Sequence, residues 1–385
     1  MQTADINNNN NDNKNNTLKK DNIEYLEVEL LRSFIEDVFI KLNLSHKDAE
    51  IIADVLITSD LRGIDTHGVQ RLMTYYERIT NGIYNPKTKI DIVTESPTTA
   101  VIDGNCSMGH VIAYNAMKLA IKKAKKYGMG AVAVRNSTHF GIAGYYSLMA
   151  IKEGMIGIVT TNATPAVPPT FGIEPMLGTN PLTAGAPTDD RFPFLIDCAT
   201  SIIQKGKIEL FNRENLYLPE GVVLDHNGNP ERDAGKIMKD LRNYQAALMP
   251  IGGEGGKASG YKGYGYSTLV EILSSALQEG VCLKETAGIE ENGKTYLKVG
   301  HFFLAMNVKN FIPLKQFKKN TGKIMRSLRK SKKAPGKKRI YTAGEKEYEA
   351  ESERKKIGIP VGKSIQNDIK RIQKELKLNK YKFSF

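Results

Sequence analysis

The hydrophobic period changes near residue 98, and that change limits the fold more than any other feature of the 385-residue chain. Before it, apolar residues recur at helical spacing. In "EVELLRSFIEDVFIKLNL" (27–44) they fall at Leu31, Phe34, Ile35, Val38, Phe39 and Leu42, one face of a helix. "SHKDAEIIADVLITSDLRGI" (45–64) follows, with Ser45 as N-cap and Asp48 three residues on, the pattern of a capping box with Asp in place of Glu. A third helix is expected from about Thr66 to Gly82. From about 98 to 162 strand and helix alternate. "TAVIDG" (99–104), "GAVAVRNS" (130–137) and "MIGIVTTN" (155–162) read as strands, and "GHVIAYNAMKLAIKKAKKYG" (109–128) and "GIAGYYSLMAIKEG" (141–154) as helices. This part is α/β.

Later segments are less regular. "ATPAVPPTFGIEPMLGTNPLTAGAP" (163–187) reads as a series of turns, and loops on such a scaffold are where binding sites usually lie. "GGEGGKASGYKGYGYSTLVEILSSAL" (252–277) is a Gly-rich loop leading into a helix, "GHFFLAMNV" (300–308) a strand, and 311–330 and 363–380 are helical by pattern. Eight of the ten residues 7–16 are Asn, so segment 1–22 has nothing to bury and is expected to be disordered. No internal repeat is visible.

Charge and cysteines narrow the function classes. The net charge is +13, but residues 301–385 hold 24 Lys+Arg against 7 Asp+Glu, which leaves 1–300 net acidic. A basic tail can attract phosphates; no aromatic-interleaved basic motif accompanies it, so a solvated Lys-rich surface is the plainer reading. No apolar run reaches the length of a membrane span, and the polar N-terminus does not read as a signal peptide. Cys106, Cys198 and Cys282 form neither a disulfide framework nor a metal-ligand spacing. A cytoplasmic protein without membrane, nucleic-acid or metal partners is expected.

Four short stretches carry chemistry. "DLRGIDTHGVQRL" (60–72) sets His67 and Arg71 four apart, one turn along a helical face, with Thr66 beside them. Taken alone it also reads as an ordinary surface. "RNSTHFGIAG" (135–144) puts His139 at a strand-to-helix turn, where α/β folds present ligand groups; a hydrogen-bonded turn histidine fits equally well. "LGTNP" (177–181) and "IDCATS" (196–201) offer Asn180 and Asp197 as hydrogen-bonding edges for a ligand. Equally, Asn-Pro starts turns and Asp197 can cap a following helix. The G-x-G-x-x-G fingerprint of a Rossmann site is missing, and "GGEGGKAS" (252–259) meets neither that spacing nor the P-loop pattern.

Together these stretches resemble the malate/L-lactate dehydrogenase family of NAD(P)-dependent oxidoreductases, whose fold is not a Rossmann fold. The resemblance is carried in order by "RGIDTHGVQRL", "VIDGNCSMGH", "VRNSTHFGIAGYY", "LGTNPL", "IDCATS", "KGK", "LPEGVVLDHNGNP", "LMPIGG", "YKGYGY", "GHFFLAMN" and "TAGEKE", over roughly residues 23–362. It implies an α/β (α+β) fold with a largely antiparallel or mixed cofactor-binding sheet. The expected division is a tail at 1–22, a helical domain with the His/Arg motif at 23–96, an α/β core for cofactor and substrate at 97–310, and a basic helical segment at 311–385 packing back on the helical domain.

The resemblance also implies hydride transfer between NAD or NADP and a small 2-hydroxy acid, and a homodimer. His67, beside Thr66, is similar to the family's proton donor. Arg71 matches the arginine that contacts the substrate, and His139 the other catalytic histidine; the sequence leaves open which histidine moves the proton. Thr179 and Asn180 fall on the substrate side. His139, Phe140, Gly141, Asp197, Cys198, Ala199, Lys262, Gly344 and Glu345 fall where the cofactor binds. Thr66 stands where many relatives have Ser, Ala343 where Pro is usual, and Lys205 where some have Arg. Malate or L-sulfolactate is the preferred substrate, with ureidoglycolate or a cyclic imino acid as alternatives. A catalytically inactive, basic nucleic-acid-binding protein is the reading from another class; the net acidic charge of the motif-bearing region speaks against it.

Overall fold

The computed structural model describes residues 23–291 and 293–385, so the Asn-rich segment 1–22 lies outside the described residues. Strand β1 (Glu24–Leu26) leads into α1 (Val28–Lys41), which buries Leu31, Phe34, Ile35, Val38 and Phe39, five of the residues its periodicity marks. Ser45 caps α2 (His46–Leu61), its Oγ accepting the Asp48 N–H at 3.2 Å. After α3 (Leu72–Thr80) come β2 (Asp91–Glu95), β3 (Thr99–Asp103), α4 (Gly109–Tyr127), β4 (Met129–Ser137), α5 (Ala143–Lys152) and β5 (Met155–Thr161). The middle of the chain contributes β6 (Leu182–Ala186), β7 (Phe194–Cys198), α6 (Lys205–Arg213), β8 (Val223–Asp225), α7 (Ala234–Arg242), β9 (Ala246–Leu248), the short α8 (Gly255–Ala258) and α9 (Gly260–Ser274). Hairpin β10 (Ile289–Glu291) and β11 (Lys294–Tyr296) precedes β12 (Val299–Asn307), α10 (Leu314–Lys330), α11 (Glu345–Ile357), β13 (Ile359–Val361) and α12 (Lys363–Glu375).

The central sheet has seven strands in the order β2-β3-β4-β12-β5-β6-β7. Only β3 and β4 pair in parallel, joined by the α4 crossover. β12 inserts between β4 and β5 and runs antiparallel to both, so the sheet is mixed and mostly antiparallel, with no doubly wound Rossmann half. The strand-helix alternation at 98–162 is real, but a strand from 140 residues downstream divides it.

The ends of the chain close one helical layer. β1 pairs with β13, Leu26 opposite Ile359, and Ile359, Val361, Ile369, Ile372, Leu378 and Tyr381 join the core of α1–α3. α10 packs elsewhere: Arg326 holds Asp189 at 2.8 Å, and Arg329 holds Asp190, both beyond β6.

Several boundaries differ from the sequence expectation. No single helix runs from Thr66 to Gly82; residues 65–67 and 69–71 form two 3-10 turns before α3 starts at Leu72. The run of turns at 163–187 ends in a strand, β6, because Leu182–Ala186 finds partners in β5 and β7. Asp197 lies inside β7 rather than capping a helix, and α6 starts only at Lys205.

Candidate active site

The segment 60–71 is shaped by a buried carboxyl. Asp60, 1% exposed in the last turn of α2, accepts the Val69 N–H at 2.8 Å. A side chain at Gly68 would put its Cβ 1.9 Å from Asp60 Oδ1, so only glycine lets the chain pass there. The backbone at Gly68 (φ −91°, ψ −140°) separates the two 3-10 turns. The result is a hook in which Thr66 holds both functional neighbours. The Thr66 carbonyl accepts Arg71 Nε–H at 2.6 Å, and its Oγ1 lies 2.9 Å from His67 Nδ1. His67 and Arg71 are therefore brought together by a folded loop, not by one helical face. With Nε engaged, Arg71 keeps its two terminal nitrogens, and it has no carboxylate partner among the described residues.

His139 approaches from the turn between β4 and α5. Its ring stacks on His67 with centroids 5.6 Å apart and planes at 23°. From α3, Tyr75 places its hydroxyl 2.6 Å from His139 Nδ1, and the Gly141 N–H reaches the same nitrogen at 3.5 Å. An amide N–H can only donate, so His139 Nδ1 is an acceptor and the ring hydrogen belongs on Nε2. Burial pushes the Tyr75 phenol well up, so it stays protonated and able to donate. Behind it, His110 meets the Tyr75 ring edge-on at 4.8 Å; neither nitrogen of His110 has a hydrogen-bond partner among the described residues. Sequence reading missed Tyr75 and His110. The four-residue step from Arg71 to Tyr75 was available as a signal, but its meaning depends on the turn that α3 makes only in the fold.

The environment holds the histidines neutral. Burial, and then the Arg71 guanidinium, lower His67 to about 4 from an ordinary 6.5. Burial first, then His67 and Arg71, hold His139 well below its ordinary value. Both rings are half-buried and neutral at pH 7. In the tautomer in which His67 Nδ1–H donates to Thr66 Oγ1, His67 Nε2, free of partners among the described residues, can take a proton, while His139 presents Nε2–H as a donor.

The other expected residues divide into two groups. Phe140 and Gly141 continue from His139, and Phe140 stacks on His301 at 4.3 Å. Asp197 ties this turn to β7: its Oδ2 accepts the Gly144 N–H at 2.8 Å and its Oδ1 the Thr183 hydroxyl at 2.7 Å. Burial raises its carboxyl, and those two hydrogen bonds act against the rise. Cys198 and Ala199 follow directly. Gly344 and Glu345 begin α11 beside the same strand, where the Leu195 N–H donates to the Ala343 carbonyl at 3.4 Å. The Glu345 carboxylate itself is engaged by the Thr342 N–H at 3.0 Å and by Arg339.

Asn180 is fully buried and bonds to neither histidine. Its amide donates to Glu271 Oε2 at 2.8 Å and to the Ser267 carbonyl, and its oxygen accepts the Ala163 N–H. Thr179 offers its carbonyl to Thr200 at 2.9 Å. Lys262 stands exposed on α9, its ammonium 5.7 Å from the Tyr261 ring centroid. A cavity of about 510 Å³ lined by Pro165, Ile173, Tyr244 and Lys284 contains neither histidine, so geometry rather than concavity identifies the site.

Comparisons with known proteins converge. The family model for malate/L-lactate dehydrogenase matches residues 26–370. The chain is 43% identical over 346 residues to the malate dehydrogenase of Pyrococcus horikoshii, covering 90% of this chain and 94% of that protein. It is 39% identical over 356 residues to the L-sulfolactate dehydrogenase of Methanocaldococcus jannaschii, covering 92% and 98%. The crystal structure of malate dehydrogenase from Entamoeba histolytica superposes with a TM-score of 0.90 at 43% identity, covering 94% of this chain and all of that one.

Proposed function

The chain belongs to the malate/L-lactate dehydrogenase family, and from that premise we propose that it interconverts a small 2-hydroxy acid and its 2-keto acid with NAD or NADP, malate or L-sulfolactate being the substrate. One observation carries the reading: a guanidinium with two free terminal nitrogens stands beside two stacked, neutral histidines, each with its Nε2 unengaged among the described residues. Arg71 holds the substrate carboxylate through its terminal nitrogens, a fork matched to two oxygens. In oxidation His67 Nε2 takes the hydroxyl proton, and in reduction it returns one. His139 Nε2–H hydrogen-bonds the same substrate oxygen and stabilises the charge that develops there. Thr66 orients His67, and Tyr75 orients His139.

The residues present fit a dinucleotide in kind. Lys262 is an exposed ammonium without a carboxylate partner among the described residues, suited to a pyrophosphate. The helix that follows the Phe140–Gly141 turn meets β7 through the Gly144–Asp197 hydrogen bond, and Gly344 passes beside Leu195 of the same strand; a nicotinamide next to His139 would be held by the Phe140–Gly141 turn and Asp197–Ala199. When bound, the nicotinamide gives or accepts the hydride.

The test is a panel of 2-keto acids with NADH and NADPH, followed at 340 nm. Oxaloacetate or sulfopyruvate is expected to be reduced faster than pyruvate or a cyclic imino acid. No nucleotide oxidation with any member would sink the reading. A homodimer follows from the same reading and is supported by α9, where Tyr266, Leu269 and Ile272 form an uncovered apolar stripe, 58%, 47% and 52% exposed. Light scattering that gives a monomer at micromolar concentration would exclude it. Three free cysteines support a cytoplasmic site.

A further inference from the structure

α11 lies behind the hook that carries His67, nearly three hundred residues away in sequence. The Arg354 guanidinium, 17% exposed, reaches over that hook. Its Nη1 donates to the Asp60 carbonyl at 2.5 Å, and its Nη2 to Asp65 Oδ2 at 3.2 Å, with Nη1 also on Asp65 Oδ1. One turn back on α11, Glu351 pairs with the buried Arg62 at 3.3 Å, and Ala350 lies against Gly63. Residues 350, 351 and 354 thus grip segment 60–65 from one helix face. The carbonyl that Arg354 holds belongs to the last turn of α2, where it also accepts the Gly63 N–H at 3.0 Å.

The other end of α11 is fixed to the sheet. Gly344, at φ +91°, passes so close to β7 that a Cβ there would lie 2.7 Å from the Pro193 carbonyl. The Glu345 carboxylate caps Thr342 N and pairs with Arg339. A 13-residue helix spans about 20 Å, so α11 is a rigid strut between β7 and the loop of His67 and Arg71.

We infer that Arg354 is a positioning residue for the substrate reaction, setting the hook that carries Thr66, His67 and Arg71 through Asp65 and the end of α2. The inference rests on the proposed dehydrogenase reading for its kinetic consequence, but not for its structural one. Arg354 touches neither histidine and moves no proton. It fixes where Arg71 meets a carboxylate and where His67 meets the reacting oxygen, so its loss acts on substrate binding and proton transfer and leaves cofactor binding alone.

The test combines hydrogen exchange of amides 64–71 with steady-state kinetics on Arg354→Gln, Arg354→Lys and the exposed control Lys356→Gln. In Arg354→Gln the protection of 64–71 falls about tenfold or more, as the loss of a charge-assisted pair requires. KM for the 2-keto acid rises by a similar factor and kcat falls with it, because His67 rides on the same hook, while the affinity for NADH or NADPH stays within about twofold. Arg354→Lys, which keeps the charge but loses the fork, is intermediate; it also serves if the glutamine variant does not fold. Unchanged protection of 64–71, or a kinetic loss equalled by Lys356→Gln, overturns the inference. If the unaltered enzyme reduces no 2-keto acid, the functional reading fails by itself, and the exchange result still decides whether Arg354 holds the hook.

Discussion

A low pKa at His67 has a direct kinetic signature. With His67 at about 4, roughly one molecule in a thousand carries the imidazolium at pH 7 in the free enzyme. Reduction of a 2-keto acid needs that proton, and kcat/KM reports the ionisation of the free enzyme. Between pH 5.5 and 8.5, kcat/KM for reduction is therefore expected to fall about tenfold per pH unit, while kcat/KM for oxidation of the hydroxy acid stays level, because the neutral base is already present. His67→Gln removes the slope along with most of the activity. In Arg71→Gln the second cause of the low value disappears while burial remains, so the titration moves upward without reaching an ordinary histidine's value. The assay is initial-rate nucleotide absorbance at constant ionic strength, with subsaturating keto acid. A level reduction profile up to pH 6 with a break near 6.5 would refute the low titration of His67, and a slope that survives in His67→Gln would refute the assignment and move the proton to His139.

Three further outcomes follow from the geometry. Arg71→Lys replaces a two-pronged carboxylate contact by a point charge and is expected to raise KM for the acid substrate about 10- to 100-fold with a smaller change in kcat, measured by saturation kinetics. Asn180→Ala strips Glu271 Oε2 of its amide donor inside the protein, leaving Oε1 on Asn162 and Leu283; it should cost about 2–4 kcal/mol of stability in denaturant melts, and a wild-type melt with raised KM would instead make Asn180 a substrate contact. His67, His110, His139 and His301 all titrate below 6.5 in the folded state, so as pH falls through 6.5 the unfolded chain binds protons first. Stability is then lost at about 1.4 kcal/mol per pH unit per histidine, and His110→Leu should lessen the acid slope of the thermal midpoint between pH 6.5 and 4.

Local rules written in the sequence settle part of this protein. The spacing of Leu31, Phe34, Ile35, Val38 and Phe39 makes α1 and its buried face, because a helix sorts side chains by a fixed angle. Ser45 places the start of α2, and the ordered motifs identify the family and bring His67, Arg71 and His139 into view. Each depends on residues within a turn or two of one another, or on a pattern visible without coordinates. The tertiary structure decided what depends on distant partners. β12 is an unremarkable strand by pattern, yet by entering between β4 and β5 it makes the sheet antiparallel at its centre. Asp60 and Gly68 turn an expected helix into a hook, because a buried carboxyl group takes the Val69 N–H. Asn180, equally polar in sequence, faces Glu271 on α9 instead of the histidines. Arg354 reaches Asp65 across 289 residues of chain, a pairing no local period encodes. Short-range geometry is repeated along the sequence and can be read there, whereas long-range pairing depends on which surfaces the packed elements bring within hydrogen-bond reach.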